Sequence, residues 1–119
     1  MSSHIDPEAL RTIASLQRPG KPDLLARIVE LFKSETPKAL ATIEDGIDSA
    51  DMPAVCHAAH TLKSSSANVG ATIFSQACRE LEAAAREENY TACIVLSDGL
   101  DELFDQCCVE IDLYLVKAA

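Results

Sequence analysis

The segment Ala58-Ala59-His60-Thr61-Leu62-Lys63-Ser64-Ser65-Ser66-Ala67-Asn68-Val69-Gly70 spaces its small and apolar side chains as an amphipathic helix does. Asp51 is a good N-cap for it, and Gly70 can take the left-handed conformation that closes a helix, so the spacing predicts a helix from Asp51 to about Asn68. Its inward stripe is Val55, Ala58 or Ala59, Leu62, Ser65 or Ser66, and Val69. At about 100° per residue His60 lies about 200° from Leu62, on the outward face. His57, Lys63, Ser64 and Ala67 follow at helical spacings of three, four and seven and share that face. No carboxylate stands three or four residues from His60.

Working outward, the same pattern recurs. Asp6, Pro7 and Glu8 start a short helix running from about Pro7 to Gln17, with Leu10, Ile13 and Leu16 or Gln17 inward. A second helix begins near Pro22 or Asp23. Its stripe of Leu25, Ile28, Phe32, Ala39, Ile43 and Ile47 keeps phase across Pro37, which favours one kinked helix over two. After Gly70 a fourth helix spans roughly Thr72–Glu87, with Phe74, Ala77 or Cys78, Leu81 and Ala85 inside. A last helix extends from about Thr91 to Val116, presenting Leu96, Leu100, Leu103, Cys107, Ile111 and Tyr114. Four long amphipathic helices with short connections imply an all-α, antiparallel up-and-down four-helix bundle, the short first helix acting as a lid. Residues 1–5 are expected to be flexible and 6–119 to form one domain.

Composition agrees. Hydrophobic residues make up 48% of the 119, aromatics only 4%, so the core is built from Leu, Ile, Val and Ala. Ten Lys and Arg against nineteen Asp and Glu, a net charge of −9, exclude a concentrated basic surface for nucleic acid. No apolar run approaches the roughly 20 residues that span a bilayer, and no signal peptide or direct membrane contact is expected. Five cysteines at 56, 78, 93, 107 and 108 form no regular framework, which argues for reduced thiols in a cytoplasmic setting. Of the adjacent pair Cys107 and Cys108, only one can face the core.

An exposed imidazole in mid-helix, ringed by small side chains and one turn from an ammonium, suits nucleophilic attack on phosphorus. An ordinary histidine, with a pKa of about 6.5, is largely neutral near pH 7. Lys63 can attract the phosphoryl oxygens, and phosphoryl transfer needs little beyond positioning and charge stabilisation if a partner brings the metal. The sequence has no phosphate-gripping Gly-rich loop and no acidic magnesium cluster. The chain is therefore expected to carry phosphate without making it from ATP, and not to be an enzyme.

The stretch AHTLKSSSANVGA at 59–71, continued by CRELEAAAR at 78–86 and preceded by PDLLARIVELF at 22–32, resembles histidine phosphotransfer (HPt) domains of multistep two-component phosphorelays. Such domains stand alone or form the C-terminal module of hybrid sensor kinases, which would put this chain on the cytoplasmic side of the membrane. The resemblance implies that His60 is the phospho-acceptor and Lys63 the residue that steadies the phosphoryl group. Leu62 and Gly70 would be structural, Gly70 closing the helix. His57, Ser64, Ala67 and Glu82 would lie on the recognition face, Glu82 reaching from the neighbouring helix. It further implies response-regulator receiver domains as partners, Mg2+ on the partner rather than here, a monomer, and passage of phosphate from one receiver aspartate to another. Ser64 departs from the family, which usually has Gly after the lysine; Ser is small, and its hydroxyl can bond back to the His60 carbonyl.

Blander readings stand beside these. Without the motif, His60 is an ordinary surface histidine and Lys63 a solvated one. The acids Glu80, Glu82, Glu87 and Glu88 read most simply as a solvated face, and His4 as tail. Cys56, His57 and His60 fall short of a tetrahedral ligand set, so no metal is expected. The alternative function is a non-phosphorylated helical adaptor that binds receivers.

Overall fold

Three aspartates and an asparagine start four of the six helices among the described residues. Asp6, Asp23, Asp51 and Asn89 each accept a backbone N–H of the following first turn, from Glu8, Ala26, Ala54 and Ala92 respectively, satisfying donors that a helix leaves free. The computed structural model describes residues 4–118, and the elements in order are α1 (Pro7–Ser15), α2 (Leu24–Asp48), α3 (Met52–Asn68), α4 (Thr72–Arg86), α5 (Tyr90–Ser97) and α6 (Leu100–Ala118). The fold is all-α, with a short N-terminal helix before an up-and-down bundle. α3 packs between α2 and α4, α4 also touches α5 and α6, and α1 lies on α2.

α2 runs through Pro37 as one helix, as the unbroken phase of its stripe predicts. The last long helix is corrected: it is two helices, α5 and α6, parted at Asp98 and Gly99, where Gly99 has φ 86°. The inward phase is kept across the break, with Leu100, Cys107 and Ile111 buried as expected, but Phe104 is buried in place of Leu103, which is only partly covered. α1 ends at Ser15 rather than Gln17. Leu16 is exposed, and the Gln17 amide ties the loop by donating to the carbonyls of Lys21 and Pro22 and accepting from Leu24 N–H.

Phe32, Phe74 and Phe104 meet at the centre with ring centroids 5.4–6.4 Å apart, the favourable range for edge-on aromatic packing. Leucine, isoleucine, valine, alanine, Met52 and three cysteines make up the rest of the apolar core. Gly70 has φ 76°, and a Cβ there would lie 2.4 Å from the Asp6 carbonyl oxygen. Its own carbonyl accepts the Asp6 N–H at 2.7 Å. The turn after α3 is thus joined to the start of α1.

The start, expected to be flexible, makes contacts at its described end. Ile5 is buried in the core, and His4 is tied to α6 by its N–H and Nδ1, each 2.8 Å from the Glu110 carboxylate. Met1–Ser3 lie outside the described residues.

Candidate functional site

Small side chains let α3 and α4 come close: Ala58, Ala59 and Ser66 on one, Cys78, Ala84 and Ala85 on the other, all buried. The Ser75 hydroxyl donates to the Lys63 carbonyl at 2.9 Å, a direct tie between the two helices. This close approach carries Glu82, on the inner side of α4, to the outward flank of α3 where His60 stands.

The Glu82 side chain is 4% exposed, and its carboxylate meets three donors. One oxygen, Oε2, lies 2.8 Å from His60 Nδ1 and 2.7 Å from Arg86 Nη2; the other, Oε1, lies 2.7 Å from Lys63 Nζ. The Lys63 ammonium, opposed by burial and helped by His60 and Arg86, holds the carboxyl at about 2, below its ordinary 4.5. Glu82 is therefore ionised at neutral pH and can only accept. It follows that Nδ1 carries a proton and points inward, which leaves Nε2 as the outward nitrogen. The His60 side chain is 57% exposed.

The reading of Glu82 as part of a solvated acidic face is thereby overturned, although Glu80, Glu87 and Glu88 are exposed. A sequence in which no carboxylate neighbours His60 along its own helix receives one from the next helix. Lys63 is likewise not a free surface cation; its ammonium is paired with Glu82. His57, Ser64 and Ala67 share the exposed face with His60, and Leu62 is buried beneath it. The Ser64 hydroxyl does not bond back to His60. Thr61, Ser65 and Ser66 are the side chains that bond to earlier carbonyls of the helix. Arg86 is the residue that sequence reasoning missed, although its spacing of four from Glu82 is a readable ion-pair signal.

The cysteines are all free thiols, Cys78, Cys93 and Cys107 buried and Cys56 and Cys108 half-buried. Burial pushes Cys78 and Cys107 up to about 12, so both stay protonated and inert. Among the described residues no three His, Cys, Asp or Glu side chains converge as metal ligands. Nor is any helix there long and apolar enough to cross a membrane.

Solved structures share this architecture. Histidine-containing phosphotransfer protein B from Pseudomonas aeruginosa aligns with a TM-score of 0.85 at 21% identity, over 98% of this chain and 96% of its own. A maize histidine-containing phosphotransfer protein aligns with a TM-score of 0.82 at 24% identity, over 95% of this chain and 83% of its own. The fold is that of histidine-containing phosphotransfer proteins. No curated protein sequence matches the chain. Residues 27–108 match the Hpt domain family, and the chain belongs to that family.

Proposed function

We propose that the chain is a phosphocarrier: Nε2 of His60 accepts a phosphoryl group from the aspartyl phosphate of a receiver domain and passes it to another receiver aspartate. The observation that carries this reading is the contact between His60 Nδ1 and the ionised, buried Glu82 carboxylate, which leaves Nε2 outward with its lone pair. In the forward step the Nε2 lone pair forms the N–P bond. The P–O bond to the aspartyl carboxylate breaks, and that carboxylate leaves with the electron pair. The imidazole gains positive charge as it attacks, and Glu82 lies against the nitrogen that shares it. Lys63 and Arg86 outweigh Glu82 by one charge, a local positive centre for the phosphoryl oxygens on an otherwise acidic molecule. Mg2+ is supplied by the receiver. The return step reverses these bonds on a second receiver.

The test is transfer of radioactive phosphate from labelled receiver domains to this chain. Wild type takes up label that is acid-labile and base-stable, as a phosphoramidate is. His60→Gln, with an unchanged circular dichroism spectrum, takes up none, and Lys63→Ala takes it up more slowly. Label persisting on the Gln variant, or a wild type that binds receivers without accepting label, overturns the reading.

A further inference from the structure

Residues 39–62 and 87–116 contain no Lys or Arg, yet hold twelve of the nineteen acids. The fold brings part of both stretches together where the C-terminal half of α2 meets α5 and the start of α6. A groove of about 540 Å³ opens there. Its floor is Ile43, Ile47 and Leu100, all buried, and its wall is Ile94 and Val95, which are 45% and 67% exposed. Glu44, Asp48, Asp98 and Asp101 line its edges and are exposed. No ion pair to a cation of the described residues engages them. The groove shares no residue with the His60 site.

An apolar floor under a rim of one sign constrains what can lie in it. Phosphate-bearing occupants, nucleic acid or an anionic lipid surface, meet four carboxylates and are repelled. An extended strand finds helices on both sides and no sheet edge to pair with. A helix with an apolar face fits between α2 and α5, and basic residues flanking that face meet the rim. We propose that this groove is a docking site for a cationic amphipathic helix of a partner protein, separate from the surface around His60.

The probe is a synthetic amphipathic helix of about 15 residues, long enough to hold helical structure on docking, with Leu at helical spacing and Lys elsewhere. Controls are a peptide of the same composition with the Leu positions scrambled and one with Glu for Lys. With the full chain, amide chemical shifts on titration should move in residues 40–48 and 94–101, and neither control should reproduce them. The double variants Asp98→Lys with Asp101→Lys and Ile94→Ser with Val95→Ser change exposed side chains; each should weaken binding ~10-fold or more while leaving the helical spectrum unchanged. Equal binding of the scrambled peptide would mean that the acidic surface attracts any polycation, and would overturn the proposal. Shifts mapping elsewhere, or no binding, would do the same. So would wild-type dimers in sedimentation that the Ile94 and Val95 variant dissociates, since a second copy would then fill the groove.

Discussion

Glu82 gathers an imidazole, an ammonium and a guanidinium on one buried carboxylate, and its titration is therefore a reporter of the site. Its folded value of about 2 lies below the ordinary 4.5. A depressed acid contributes stability that is fully present above the unfolded value and lost as pH falls through the folded one. Glu82→Gln should therefore lower stability at pH 7 by roughly 2 kcal/mol, less than the full shift implies because His60 and Arg86 are solvent-exposed. Its melting temperature should also fall less than that of wild type between pH 4.5 and pH 2. Parallel melting curves across that range would show that the carboxylate adds nothing to stability. A second test at this scale is Ser64, exposed one turn beyond His60. Ser64→Leu should leave the melting temperature within a few degrees while weakening receiver affinity and slowing single-turnover transfer together. A wild-type transfer rate would place the docked receiver clear of Ser64. His60, Lys63 and the outward face were legible from sequence because all lie on one helix, where spacing sets direction. The placing of Glu82 beside His60 came only from the family resemblance, because helix periodicity says which way a side chain points and not which neighbour it meets.

Helix ends show what local chemistry does and does not announce. Asp6 and Asp51 were readable because a side-chain acceptor ahead of an apolar stripe has one economical use, whereas Pro22 beside Asp23 left the start of α2 open between the two. The break at Gly99 was not, since Leu96, Leu100 and Leu103 keep helical spacing across it and a glycine costs a helix only about 1 kcal/mol. Two other ends close on residues with a Cβ in the left-handed region, Ala50 at φ 55° and Glu88 at φ 57°. Ala50→Gly relieves that strain and should raise stability by about 1 kcal/mol, read as a higher denaturant midpoint at unchanged slope. Gly70→Ala meets both the strain and the Asp6 carbonyl oxygen and should cost ~2 kcal/mol or more. A neutral Gly70→Ala would mean that the turn after α3 can move away from α1 freely.

At the scale of the whole molecule, the family match begins at residue 27, but the buried interior does not. Ile5, Leu10 and Ile13 all lie in the core, and full burial of such a side chain is worth about 1.5–3 kcal/mol. Their joint loss, about 5 kcal/mol, compares with the roughly 5–15 kcal/mol that keeps an ordinary domain folded. The Asp6 N–H bonded to the Gly70 carbonyl makes the point locally, because the loop that ends the helix of His60 is completed by a residue more than sixty positions earlier. The segment matched to the family is thus smaller than the stretch that contributes to the core here. An excised piece starting at Arg27 should expose apolar surface, bind a hydrophobic dye and lose its cooperative melt, and adding back a peptide of residues 4–26 in trans should restore both. A fragment from Arg27 that melts cooperatively by itself would show α1 to be an ornament on a self-sufficient bundle.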